Sequence, residues 1–443
     1  MSRRSFVARV SLLPFCATVI TTYAITGDTA RPGTPHCPSW PQPVRQATPS
    51  RWPLRLPGKS HSLVLLDNWL YGAGDDRTAW LRESRNGHLV WRKTVKFTPF
   101  SPNISESSRI IVESRQVFIG GQTKDQGDEL TALCAADGRH MWQHTFPEGG
   151  LAAVPLPDGI LAVTNTAVYG MSKLTGEVRW QTKINGSGQS SALRLGDTLL
   201  IANTHSGVVA LDARTGQVRW STNFPGADQL ALKTSGDSVH MIAHRSVEKT
   251  IHKKGVGTAR VFEPVNTEVR TVSATTGHTR WSRFLPPLGS TALAAEGLLY
   301  VPAEHRLLAL NSDTGKMVWS TPLPQKNLSP ELHLHDGFLL VNPTVSDDTG
   351  LYPLGAFDPQ TGKRRWLTGL KMPYSVGTGT PGMALTHGIE LTAIATDAGE
   401  VIWSTPVPKD SNLLVGRELA YIYDVYTAQL NAYDIGTGTE LVV

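Results

Sequence analysis

Along most of the chain, apolar and polar residues alternate in short runs, and each run ends in a cluster of glycine, asparagine, aspartate, serine or threonine. Val209-Ala210-Leu211-Asp212-Ala213-Arg214-Thr215-Gly216 is one such run. Leu308-Ala309-Leu310-Asn311-Ser312-Asp313-Thr314-Gly315 and Gly355-Ala356-Phe357-Asp358-Pro359-Gln360-Thr361-Gly362 repeat it. A period of two sends successive side chains to opposite faces of an extended strand, and the closing residues are those that reverse a chain tightly. No long segment places its apolar residues at helical spacing, so the pattern predicts an all-β protein.

The runs recur. A glycine is followed four residues later by tryptophan at Gly87/Trp91, Gly138/Trp142, Gly176/Trp180, Gly216/Trp220, Gly277/Trp281, Gly315/Trp319, Gly362/Trp366 and Gly399/Trp403. A ninth copy, Gly438, has Val442 in the place of tryptophan. Upstream of each glycine lies a strand, ended by an Asp or Asn that can cap the turn at Asp212, Asn311, Asp358 and Asp434, and upstream of that lie two further apolar runs, as at 191–195 and 198–203. Each repeat therefore predicts four short antiparallel strands, with glycine supplying the left-handed residue of the last hairpin. The repeat length, about 44 residues, is that of a four-stranded propeller blade, and radial packing protects the many sheet edges so created. The expected fold is a β-propeller over residues 59–443.

The A-x-D-x-x-T-G-x-x-x-W pattern resembles the tryptophan-docking repeat of the pyrroloquinoline-quinone-like propeller family, over roughly residues 60–443. That family includes quinoprotein dehydrogenases and cofactor-free members such as the outer-membrane assembly lipoproteins. The resemblance implies that each tryptophan docks between neighbouring blades, which suits its large apolar area and its ring N–H. It also implies eight blades, with the first and last segments sharing one. Nine visible copies make nine the close alternative.

Composition narrows the setting. The net charge of +5 falls to +2 once residues 1–24 are set aside, because Arg3, Arg4 and Arg9 stand there with no acid. A nearly balanced chain with no basic helix gives no reason to expect nucleic acid as partner. Ser2-Arg3-Arg4-Ser5-Phe6-Val7, then Arg9 and an apolar stretch to Ile25, reads as an export signal over residues 1–25; the twin-arginine and Sec routes both fit. The apolar stretch is shorter than the roughly 20 residues of a spanning helix, which favours cleavage over retention as an anchor. Residues 26–58, rich in Pro, Thr and Arg, read as an extended linker, in which Trp40 and Trp52 would bear little on stability. Beyond the signal stand Cys37, in that linker, and Cys134, in a predicted strand. Outside the cytoplasm they can pair, and the bland reading is two inert thiols.

Candidate chemistry is sparse. The dehydrogenase branch implies a quinone, a cation beside it, an Asp base and, in many members, a vicinal cysteine pair, and the chain has neither that pair nor the extra length of the enzymes. Asp75-Asp76, Asp347-Asp348 and Asp125 with Asp128-Glu129 lack the spacing of a calcium loop. His333 and His335 share a strand face without a third ligand in view. No cofactor, metal or catalytic residue is therefore expected, and the reading is a monomeric, non-catalytic extracytoplasmic scaffold for an envelope protein or small ligand. A quinone-dependent dehydrogenase and a sensor of a small envelope ligand are the alternatives.

Three repeats exceed the compact length, with polar excursions near 122–129, 244–268 and 343–353, each between the second and third strands. The largest carries Arg245, Lys249, His252, Lys253, Lys254 and Arg260, and the others carry Asp125, Asp128, Asp347 and Asp348. Surface insertions of this kind are tolerated at little cost; the sharper expectation is a basic loop that meets an acidic partner.

Overall fold

The computed structural model describes residues 37–38, 52–58, 60–97, 110–113, 115–123, 127–184, 190–203, 207–227, 229–253, 257–287, 292–303, 305–323, 330–342, 346, 349–373, 375–409 and 411–442. Among these residues there are nine four-stranded antiparallel sheets and no helix. The fold class is a β-propeller of nine blades. Blades one to eight are built from four consecutive strands in chain order, over residues 60–94, 110–146, 152–183, 190–222, 229–285, 293–322, 331–370 and 375–406. The ninth joins three C-terminal strands, Ser411–Val415, Leu419–Asp424 and Gln429–Asp434, to Leu54–Arg55 from the start of the chain.

This arrangement corrects two expectations. The first and last segments do share a blade, yet the count is nine and not eight, because residues 60–94 already complete the first blade. Residues 52–56, read from sequence as linker, belong to the ninth blade: Leu54 pairs with Leu430, Arg55 with Gln429, and the Leu56 amide donates to Ala428 O at 2.9 Å. These five residues alternate buried and exposed, but a run so short, containing Pro53 and followed by Pro57, carries too little signal to read as a strand.

By packing, the chain divides into two units. One holds blades one, two, three, eight and nine; the other holds blades four to seven together with Thr396–Glu400 from the last hairpin of blade eight. In each, the apolar core lies between successive blades. Val64, Tyr71, Trp91, Val112 and Ile119 fill the space between blades one and two, and Leu200, Val208, Leu232, Met241 and Val272 that between four and five.

The last hairpin of each blade shows why the motif has its residues. The Gly216 amide donates to Asp212 O at 2.8 Å, while Asp212 Oδ1 accepts from the Thr215 amide at 2.9 Å. Gly216 stands at φ 72°, where a side chain would be strained. Asn311/Gly315 and Asp358/Gly362 repeat these bonds. A bulge follows, and it leaves tryptophan opposite a small residue, as in Ala210 with Trp220 and Ala309 with Trp319.

Tryptophan then locks one blade to the next. Trp91, Trp142, Trp220, Trp281, Trp319, Trp366 and Trp403 donate their ring N–H, at 2.8–3.0 Å, to the carbonyls of Ala135, Lys173, Ala274, Ser312, Pro359, Thr396 and Ile435. Each acceptor lies three residues before the next motif glycine, and the indole covers that glycine so closely that a Cβ there would fall within 3.0 Å of it. The docking role implied by the resemblance is therefore the observed one at these joints.

Trp180, the remaining motif tryptophan, stands in the last blade before the boundary between the two units and makes a close contact within its own blade. Its side chain is half-buried. Register sets Trp180 opposite Gly170, and the indole lies so tightly over that glycine that a Cβ would collide with it. Leu81, Ala132, Ala210, Thr271, Ala309, Ala356 and Ala393 hold the corresponding place opposite the other seven tryptophans. Only glycine leaves room for an indole to settle on its own sheet in this way.

The joint between blades nine and one is built otherwise. Val442, in the place of tryptophan, is 71% exposed. Leu54 covers Gly87 instead, Tyr421 Oη donates to Ser84 O at 2.9 Å, and Trp52 Nε1 donates to Arg85 O at 3.2 Å. Ser84 lies three residues before Gly87, so the bond that tryptophan makes elsewhere is kept by a tyrosine; burial pushes the Tyr421 phenol up to about 12, which keeps its donor proton in place. Trp52 is 1% exposed and packs on Tyr421 with ring centroids 5.5 Å apart.

Candidate protein-binding surface

The excursion of blade five is a continuous β-ribbon, not the irregular loop its polarity suggested. Its strands, Ser238–Lys253 and Gly257–Ser273, outrun both neighbours: pairing with the first strand stops at His244, and pairing with the fourth stops at Thr267. Beyond that point the two strands pair with each other from Arg245↔Asn266 to Lys253↔Gly257, with a register shift at Arg245/Ser246. At about 3.3 Å per residue the ribbon extends roughly 30 Å past the rest of its sheet. The β-branched Val247, Thr250 and Ile251 were the signal for strand; the length of the insertion hid it.

A two-stranded ribbon is marginal alone, so its root matters. There Glu268, with its side chain 4% exposed, accepts from Arg245 at 2.8 Å, from Arg270 at 2.6 Å and from Ser282 at 3.2 Å. Arg270 also lies over the Phe224 ring at 4.3 Å, and Arg245 over Phe284 at 5.5 Å. Cross-strand register puts Glu268 opposite Phe284 and Arg270 opposite Ser282, so these groups share one face of the sheet. A carboxylate gripped by two guanidinium groups fixes the direction in which the ribbon leaves the blade.

Of the six basic positions expected to meet a partner, the structure thus gives Arg245 a structural role at the root. Lys249 is exposed on the ribbon. His252, Lys253 and Arg260 occupy strand positions with side chains outside the described residues, as is Lys254 altogether. The excursions of blades two and seven also join second and third strands, Gln116–Gln122 to Asp128–Cys134 and Phe338–Asn342 to Tyr352–Phe357. Asp125, Asp347 and Asp348 fall outside the described residues. Asp128 turns inward: its carboxylate accepts from the Leu151 amide at 2.7 Å, and burial nevertheless raises its pKa.

The remaining candidates have local structural partners. Asp76 caps Thr78 and pairs with Arg92 at 2.8 Å. His333 sits 3.5 Å from Glu331, and His335 3.3 Å from Asp336. Among the described residues no three His, Cys, Asp or Glu side chains converge on a point where a cation could sit. Cys37 and Cys134 form a disulfide, with Cα atoms 5.3 Å apart, so the inert-thiol reading is corrected. A bridge between residues 97 apart in sequence is not the vicinal pair that the dehydrogenase branch implies. The signal segment 1–25 and Trp40 lie outside the described residues, and no helix among those described is long and apolar enough to cross a membrane.

Repeated four-stranded blades locked by tryptophan, with a preformed ribbon on one of them, define a β-propeller of the tryptophan-docked class. The sequence matches the family described as outer membrane protein assembly factor BamB over residues 76–239 and 265–412, and the chain belongs to that family. No curated protein sequence matches it significantly. Among solved structures it is similar to BamB from Moraxella catarrhalis, at 15% identity and a TM-score of 0.50 over 87% of this chain and 99% of that one. It also resembles the quinohemoprotein alcohol dehydrogenase ADHIIG from Pseudomonas putida HK5, at 12% identity and a TM-score of 0.48 over 88% and 76%. At such identities the likeness speaks to the fold alone.

Proposed function

We propose that this chain is a non-catalytic, protein-binding scaffold of the cell envelope, and that it holds components of an outer-membrane protein assembly apparatus together. The observation that carries this reading is membership of the BamB family across both long segments of the repeat domain. The Cys37–Cys134 disulfide supports a compartment outside the cytoplasm, where such bridges persist. The export-type N-terminus of the sequence agrees. Tryptophan joints between blades supply the rigid frame from which loops can present a binding surface.

The test is chemical cross-linking in intact cells, followed by capture of the tagged full chain and identification of what is joined to it. Recovery of outer-membrane assembly components at fixed residues is expected; a chain that cross-links to no protein of the envelope would overturn the reading. The competing dehydrogenase reading is checked separately with purified protein, pyrroloquinoline quinone and calcium. We expect no tight quinone uptake and no dye-linked oxidation of alcohols or sugars, and stoichiometric uptake with turnover would replace the scaffold reading by an enzyme.

A further inference from the structure

Three exposed apolar side chains gather in sequence and register at the root of the blade-five ribbon: Phe284 at 59% exposure, Val247 at 46% and Val265 at 46%. A single exposed hydrophobic residue needs no explanation, whereas an aromatic ring stacked under an arginine, with two valines on the adjoining ribbon, has the composition of an interface anchor. The Arg245 guanidinium lies over the Phe284 ring, and the buried Glu268 holds that guanidinium in place. The anchor is therefore backed by a guanidinium that is already paired, which lowers the ordering cost of association.

Charge identifies what the anchor would meet. Past the root, the sequence from 246 to 265 holds Lys249, Lys253, Lys254 and Arg260 against Glu248 and Glu263, and Lys249 is exposed on the ribbon. The surplus is positive, on a chain that is otherwise close to balance. A positive arm beside an apolar root is complementary to a segment with acidic residues flanking one apolar side chain.

We propose that the blade-five ribbon and its root form a docking surface for an acidic protein segment, with Phe284 as the apolar anchor and the ribbon lysines steering the approach. The proposal rests on the protein-binding reading above and names the partner's chemistry for one surface of it. Rim charges act on association rate and salt dependence, while a buried apolar anchor acts on dissociation, so the two parts separate experimentally.

The probe is a synthetic fifteen-residue peptide of Asp and Glu around a central leucine, titrated into the full chain over a series of salt concentrations. Its Lys-for-acid counterpart and vesicles of phosphatidylglycerol serve as comparison arms. The acidic peptide is expected to bind, and to weaken steeply with salt. Replacing Lys249, Lys253 and Lys254 together with Ser should weaken binding at low salt about tenfold and flatten the salt dependence. Phe284→Ser should cost a similar factor, leave the salt slope as it was, and raise the dissociation rate. Thermal melts of both variants, expected to match the parent, keep a folding defect from passing as a binding defect.

Equal binding of the lysine peptide, retention of full affinity by both variants, or binding of the vesicles without the peptide would each overturn the proposal, the last by making the surface a membrane contact. Failure here is distinct from failure of the scaffold reading. Should envelope components cross-link as well to the ribbon variants as to the parent, the docking surface falls and the scaffold stands. Should nothing cross-link while the peptide binds as described, the scaffold falls and the surface stands.

Discussion

Trp52→Ala is the sharpest test of how blades nine and one are joined. The indole is 1% exposed, packs against Tyr421 and donates to Arg85 O at 3.2 Å. Around it stand Leu54, Leu65, Trp80 and Leu430, all buried, so little can relax into the space the ring leaves. Truncation of a fully buried tryptophan costs about 3–5 kcal/mol, with roughly 1 kcal/mol of this range from the hydrogen bond. For an ordered domain of this length, a loss of about 4 kcal/mol lowers the melting temperature by about 5 °C. Val442→Ala is the matched control, since Val442 holds the tryptophan's place in the repeat yet is 71% exposed; it should stay within about 0.5 kcal/mol of the parent. Melts and urea titrations of the two variants decide the matter. If Trp52→Ala melts with the parent, or Val442→Ala is the more damaging, the joint is not held by residues 52–56.

Other outcomes follow from the same geometry. Gly362→Ala drives a methyl into the Trp319 ring at φ 68°, whereas Gly226→Ala, at φ 75°, meets open space; both carry the left-handed cost of about 1 kcal/mol, and Gly362→Ala should lose roughly a further 1–3 kcal/mol in denaturant titrations. Reduction of Cys37–Cys134, or its replacement by serines, frees a loop of 97 residues and should lower stability by about 4–5 kcal/mol on the chain-entropy estimate, read from melts with and without reductant. His240 and His387 are held neutral by burial, each with its pKa lowered to about 4. Protons then bind the unfolded chain in preference from about pH 6.5 downward, so stability present at neutral pH is lost as pH falls from about 6.5 to about 4, by about 3 kcal/mol for each histidine. His240→Asn and His387→Asn should flatten that part of the pH profile, and an unaltered profile would show that burial does not hold these rings neutral.

The fold was legible wherever a pattern repeats. Eight tryptophans at one spacing, each with a glycine ahead of it and three with a capping Asp or Asn, carried strand number and hairpin type together, and at the seven joints described the joint chemistry as well. The close fit of Trp180 on Gly170 was not legible, because that glycine stands ten residues upstream and outside the motif. What escaped altogether has no local signature. Leu54 and Arg55 become a strand only because a C-terminal edge awaits them, and proline-rich surroundings mask two paired residues. The disulfide depends on Cys37 reaching the end of a strand 97 residues later, a distance that spacing does not encode. The surface proposed for docking was half visible: the basic residues stand out in the sequence, while Phe284, in an ordinary outer strand, does not, and nothing in the sequence marks Arg245 as the partner of Glu268.

The pairing of Leu54 with Leu430 also sets an order in time. Contacts between neighbouring strands can form as the chain emerges, since their loops are short and cheap to close. The ninth blade can be completed only when almost the whole polypeptide is available, and until then Trp52, Leu54 and Leu56 at one end, and the strands of 411–434 at the other, present apolar edges with nothing to cover them. A chain threaded unfolded through a membrane pore would meet that interval on the far side, in need of a chaperone to shield both ends. A chain carried across after folding would have passed through it already.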